Sequence, residues 1–282
     1  MTLYKSGNLG EQNHNNLTTF GRKVMKRPLK IISPFESIIS KIKLFILLGI
    51  IAFNYNCEDA STTENINSSN LLFIASEGNF GQNNGSISVF NEDEKIQELL
   101  NVGDVLQSIL VHDNHLYAII NGNSEIKRYA ISETGLTLPG ITISTNNSSP
   151  REMCVLNNKL YFSNWNSKDI KVLNLNTFAI EHSIQLDGLP EDIITDGTNL
   201  YTSVPHLAIY DQGNGTTVIK IDPLTNQIIK TYEVGKGPQH LIIHNDKLFI
   251  SRTYYSENWY QTFFGTTQIN LTTDEVITLE HG

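Results

Sequence analysis

Two cysteines in 282 residues leave no room for a disulfide scaffold or a four-cysteine zinc site. No C-x-x-C-H run marks a covalent haem, and no repeat of tryptophan-docking residues suits a quinone cofactor. H-E-x-x-H, G-x-S-x-G, a phosphate-binding P-loop and a dinucleotide fingerprint are all missing, which removes the common zinc-protease, hydrolase and nucleotide-binding readings. Positive charge is scarce as well. Twenty Lys and Arg face 29 Asp and Glu, a net charge of −9 that argues against nucleic acid as the partner. No apolar run reaches the ~18–20 residues a membrane-spanning helix needs. With 39% apolar residues the chain can still bury a core, so wholesale disorder is excluded too.

The scarce positive charge is concentrated at one end. Residues 1–57 hold eight Lys and Arg against Glu11 and Glu36, leaving 12 − 27 = −15 for the remainder. The basic stretch runs into Leu44–Phe53, LFILLGIIAF, and Cys57 follows, then Glu58 and Asp59. A ten-residue helix spans ~15 Å, half a bilayer core, so the run fits the apolar segment of a signal peptide. The order resembles a bacterial lipoprotein signal, which implies lipidation of Cys57, membrane attachment through that lipid alone, and an extracytoplasmic home as an outer-membrane lipoprotein, periplasmic or at the cell surface. Asn54 and Asn56 depart from the usual Leu and small residue before the cysteine. An ordinary secretory signal is the alternative, and Met25-Lys26-Arg27 offers a second start. Residues 58–70 are polar without periodicity and read as a tether.

From residue 71 the sequence repeats. An aromatic after a short polar turn recurs at Phe73, Tyr117, Tyr161, Tyr201 and Phe249, and Pro150, Pro190 and Pro238 stand eleven residues before the last three. Each unit reads as four short strands separated by turns such as HDNH, NNK and HNDK. Four strands per ~40–45 residues is the pattern of a β-propeller blade. The expected fold is therefore all-β, with about five four-stranded blades near 71–105, 106–149, 150–189, 190–237 and 238–282. Blade 1 opens on its second strand and no closing strand follows Glu280, so an incomplete seven-bladed propeller, lacking about 80–90 residues, is the expectation.

The repeat resembles the YVTN-repeat, YncE-like propellers of the cell envelope. The closest matches are Ile219-Lys220-Ile221-Asp222-Pro223-Leu224-Thr225-Asn226 with Val234-Gly235, and Pro150 with LYFSN and IKVLNLNT. The resemblance covers residues 71–282 and implies a fold rather than an activity, because propellers host many functions.

Ligands of propellers usually meet the face formed by the loops between strands two and three and by the starts of the first strands. Candidate ligand-binding residues there are Glu77, Asn79, Arg151, Asn164, Trp165, His206, Gln239, His240, Arg252, Tyr254 and Trp259. The segment Arg252–Thr266, RTYYSENWYQTFFGT, reads as an aromatic loop of the kind used in binding hot spots, or as packing against a further blade. Glu152, Glu191 and Asp192 form an alternative oxygen-rich site for Ca2+ or Mg2+ near the axis, by analogy with gluconolactonase-like and virginiamycin B lyase-like propellers. Solvated loop acids are the competing reading, and no cofactor is otherwise expected. Cys154 reads as a small buried residue. The favoured function is a non-enzymatic propeller binding a ligand, an envelope protein or a polymer; the alternative is an extracytoplasmic metal-dependent lyase or lactonase.

Overall fold

The computed structural model describes residues 2–5, by their backbone, and 70–281. Among these residues the fold is all-β, five antiparallel sheets following one another along the chain. Blade 2 contains Leu106–His112, His115–Ile120, Glu125–Ser132 and Ile141–Ser144, with the two-residue strand Gly135–Leu136 folded onto its third strand. Blade 3 contains Pro150–Leu156, Lys159–Asn164, Asp169–Asn174 and Ile180–Gln185. Blade 4 contains Ile193–Thr195, Leu200–Val204, Thr217–Asp222 and Gln227–Glu233, and blade 5 Pro238–His244, Lys247–Tyr255, Thr262–Asn270 and Val276–Glu280. Blade 1 has Leu71–Ser76, Ser86–Asn91 and Glu94–Leu99. The first-strand position that the sequence leaves open is taken by Thr2–Lys5, with Thr2 opposite Ala75 and Lys5 opposite Leu72. Cys57, the apolar run Leu44–Phe53 and the tether lie outside the described residues.

The turns explain why these segments form hairpins. Tight two-residue connections need positive φ, which Asn and Asp tolerate. Asn157 and Asn158, and Asn245 and Asp246, supply it between strands one and two. Between strands three and four a side chain organises the turn. The Asn174 carbonyl oxygen accepts the Asn176 amide at 2.9 Å, and Asn270 treats Thr272 the same way. Asp222 accepts Leu224 N–H at 2.9 Å in the corresponding turn of blade 4.

Alternate residues on each strand enter the spaces between blades. Tyr201, Val218 and Tyr232 of blade 4 pack with Leu241, Leu248, Ile250 and Ile269 of blade 5. Phe73, Ile87 and Val89 of blade 1 meet Leu106, Leu116 and Ile120 of blade 2 in the same manner. The anchor aromatics Phe73, Tyr117, Tyr161 and Tyr201 are buried and Phe249 is half-buried, and Tyr201 satisfies its hydroxyl on Asp196 at 2.9 Å. Cys154 is buried in the core between blades 3 and 4, as expected.

A hydroxyl seam joins the blades near the axis. Ser163 and Ser203 stand two residues after the anchors Tyr161 and Tyr201. Each accepts an N–H from its own first strand, Glu152 and Asp192 respectively, both at 3.1 Å. Each also donates to the next blade's first strand: Ser163 to Glu191 O, and Ser203 to Gln239 O at 2.6 Å. From blade 2 the link to blade 3 comes from the first strand, where Ser108 donates to Arg151 O at 3.1 Å.

Candidate functional site

The residues after Pro150 and Pro238 lie on one face because the first strands of blades 3 and 5 begin with an irregularity, between Pro150 and Met153 and between Pro238 and Leu241. The extra residue turns Arg151 sideways, along the row of blades. Its Nε and Nη2 donate to Glu191 of blade 4 at 3.0 and 2.7 Å, and its Nη1 to Gln107 of blade 2 at 2.8 Å. One guanidinium therefore ties three blades together, a fork-to-fork pairing that only Arg can make.

Arg151 also lies over the Trp165 ring, 4.4 Å from its centroid, and Trp165 meets His206 edge-on at 5.6 Å. His206 Nδ1 is 2.7 Å from Asp211 Oδ1. Asp211 in turn accepts backbone N–H groups of Leu207 at 2.6 Å and Gly213 at 3.1 Å, which fixes the loop 204–216 and holds its carboxyl below the usual range despite partial burial. The next residue, Gln212, accepts Tyr255 N–H at 2.8 Å through its backbone and Trp259 Nε1 at 2.9 Å through its amide oxygen. A continuous rail of charged and aromatic groups thus runs from blade 2 to blade 5.

Beside the rail stands an acid pair. Glu152 is pushed up to about 8, chiefly by burial and then by the nearby Asp192 and Glu191 carboxylates. Asp192 is raised by burial, although it accepts Leu241 N–H at 2.7 Å and has His240 Nδ1 at 4.0 Å. Glu152 thus keeps its proton into the neutral range and is able to donate a hydrogen bond.

Several expected residues do different work. The Asn164 side chain is buried, accepting from Ser148 at 2.6 Å and donating to Phe162 O at 3.0 Å, so it holds the blade together and is closed to ligand. Arg252 is interior as well. Its side chain is 1% exposed, is paired with Glu280 and donates to Leu279 O at 3.2 Å. The segment after it is a hairpin of two nine-residue strands, Lys247–Tyr255 and Thr262–Asn270, rather than a loop. Tyr254 stacks on Phe263 at 5.1 Å and donates to Glu280 at 3.1 Å, and Tyr255 packs against Trp259 at 5.1 Å. Glu77 and Asn79 are exposed on the blade 1 loop, where Asn79 N–H is held by Asn84 Oδ1 at 2.7 Å. Gln239 enters the seam through its carbonyl, and His240 is exposed beside Asp192. Glu191 is committed to Arg151, and no group of three or more His, Cys, Asp or Glu among the described residues is placed to hold a metal.

Asp211 and Gln212 escaped the sequence reading; their only signal is a turn-rich run, DQGNG, inside a long loop. That loop also lifts apolar residues into solvent. Leu207, Ile209 and Tyr210 stand exposed on it, and Trp259 and Tyr260 on the neighbouring hairpin tip, with Tyr210 and Tyr260 85% and 88% exposed.

No known protein-family model matches the chain, and no curated protein sequence does. Similarity appears at the level of solved structures. Hydrazine synthase of Kuenenia stuttgartiensis aligns with a TM-score of 0.59 at 14% identity, covering 75% of this chain and 63% of that one. A protein of unknown function from Bacteroides caccae aligns with a TM-score of 0.55 at 11% identity, covering 76% and 78%. Sqt1 of Saccharomyces cerevisiae gives 0.55 at 14% identity, covering 74% and 58%. This chain therefore spans less than two thirds of the hydrazine synthase and Sqt1 chains. At these identities the likeness defines the class alone: the chain has a β-propeller fold.

Proposed function

We propose that this protein is an extracytoplasmic, lipid-anchored propeller of the YVTN-repeat, YncE-like kind that binds a partner protein or polymer through its loop face. The observation that carries the reading is the exposed set Leu207, Ile209, Tyr210, Trp259 and Tyr260 on two adjacent loops. Aromatic side chains cost little entropy to immobilise and supply large contact areas, which is why binding hot spots favour them. Here they stand on loops already braced by Asp211 and Gln212, so little ordering remains to be done on binding. The anchor rests on the order of basic stretch, apolar run, Cys57, acidic pair and polar tether.

The test is an array of immobilised polysaccharides and peptides probed with the wild-type protein and with a Tyr210→Ala, Trp259→Ala, Tyr260→Ala variant. The wild type is expected to retain at least one class of target, and the variant to lose at least about tenfold in affinity at an unchanged melting temperature. Equal binding by both, or binding by neither, overturns the reading. Cys57→Ser in a Gram-negative host is expected to abolish incorporation of a labelled fatty acid; no label in the wild type removes the anchor.

A further inference from the structure

From blade 2 onward, each blade turns one face of its outer strands toward the blade before it. Three of these four faces carry a cation of their own. In blade 2 it is Lys127, whose Nζ donates to Val102 O at 2.5 Å. In blade 3 it is the buried Lys171, with Nζ 2.5 Å from Asp169 Oδ2. In blade 5 it is Arg252, enclosed and paired with Glu280. Lys127 and Lys171 hold the same position, paired with Thr142 and Ser183, and Arg252 lies one rung away, over Gly265.

Blade 4 breaks the series. Ile219 stands where Lys127 and Lys171 do, paired with Thr231, and Val204 stands where Arg252 does. Neither carries a charge, yet the acid is still there: Glu233 pairs with Thr217 as Glu280 pairs with Gly265. In place of an internal cation there is a cleft of about 270 Å3 between blades 3 and 4. Buried Val204 and Ile219, with the more exposed Ile228, give it an apolar lining, and Thr217, Thr231 and Asp187 a polar one. Asp187 is exposed and forms no ion pair among the described residues. Glu233 accepts only the Thr216 hydroxyl, at 2.8 Å. Lys168, at the rim, is turned to Leu207 O at 3.0 Å.

We infer that this cleft takes a lysine or arginine side chain of a partner protein, supplying from outside the cation that the other blades supply from within. The inference rests on the reading of the loop face as a partner surface, and it narrows the partner to a protein with an exposed basic residue. Leu207 joins the two features, since it lines the cleft and belongs to the exposed apolar set. The aliphatic stem lies on Ile219 and Ile228, and the charged head turns toward Asp187 and Glu233.

Methyl NMR of the isoleucine-labelled full chain, titrated with acetylated, amidated Ala-Lys-Ala to about 10 mM, tests this. The signals of Ile219 and Ile228 are expected to shift saturably, and Ala-Arg-Ala to act alike. Peptides with norleucine or glutamate at the centre are expected to bind at least about fivefold more weakly. Asp187→Asn combined with Glu233→Gln is expected to lose about tenfold for the lysyl peptide and nothing for the norleucyl one. The Tyr210→Ala, Trp259→Ala, Tyr260→Ala variant is expected to take the lysyl peptide as the wild type does, so failure of the aromatic surface and failure of the cleft are separate results. No saturable shift with either basic peptide overturns the inference. So does equal affinity for the lysyl, norleucyl and glutamyl peptides, or an unchanged affinity in the Asp187→Asn, Glu233→Gln variant.

Discussion

Arg151 and Glu191 form a two-pronged ion pair, at 3.0 and 2.7 Å, across the boundary between the third and fourth blades. Both side chains are largely removed from water, so the pair is a strut whose halves depend on each other. Removing one partner of such a pair leaves a stranded charge.

Arg151→Ala is accordingly expected to destabilise the protein by about 3 kcal/mol. In a domain of this size that lowers the melting temperature by roughly 6–12 °C. Arg151→Lys keeps the charge but loses the fork and the Gln107 contact, and should fall between the two. A melting temperature for Arg151→Ala within a degree of wild type would remove the strut.

Glu152 makes stability depend on pH in the direction opposite to that of an ordinary surface acid. Its folded-state value, about 8, lies above that of the unfolded chain, so the folded state holds the extra proton between roughly pH 4.5 and 8. Its contribution to stability is present at the acid end of that window and is lost as pH rises through it. Glu152→Gln should flatten this fall, with the variant gaining on the wild type as pH rises from 5 to 8. Parallel denaturant titrations at both pH values check it, and identical pH profiles would contradict it.

Gly265 lies against the Arg252 guanidinium, where an added Cβ would come within 2.7 Å of Cζ and 2.9 Å of Leu279 O. Arg252 is enclosed and cannot swing away. Gly265→Ala is expected to cost about 2 kcal/mol, the usual range for overpacking, measured by urea unfolding. Neutral behaviour would mean the guanidinium has another place to go.

The two tryptophans should respond differently to a collisional quencher. Trp259 is exposed on the hairpin tip, whereas the Trp165 indole nitrogen is buried between Arg151 and His206. Acrylamide should reach one emission component readily and the other poorly. Trp259→Phe should leave the protected component and Trp165→Phe the accessible one. A single quenching constant shared by both variants would place the two rings in like surroundings.

The architecture was legible because the repeat carries it. The anchors Tyr117, Tyr161 and Tyr201 and turn pairs such as Asn157-Asn158 fix strand length and hairpin register by local chemistry, and local chemistry is written in the sequence. The site was less legible, and Asn164 and Arg252 show why. Each stands three residues after its anchor, the column that holds Ile120 in blade 2 and Val204 in blade 4, and all four are buried. Their polar character suggested a ligand, while their column pointed to the interior. The partners of Arg151, Gln107 and Glu191, lie 44 and 40 residues away, and only the folded row of blades brings them together. Asp211 acts on His206 and on backbone amides, and its only signal in the sequence is the turn-rich run around it.

The hydroxyl seam has a dynamic consequence. Blades 3 and 4 are clasped on both sides, whereas among the described residues blade 5 is clasped on one, so free energies of local opening should fall toward that end of the row. Amide protons of the strand Val276–Glu280 should exchange earliest and those of Lys159–Asn164 last. The aromatic hairpin therefore stands on the part of the molecule that breathes most, and whatever grips Trp259 and Tyr260 would be read out as slowed exchange across the whole terminal sheet.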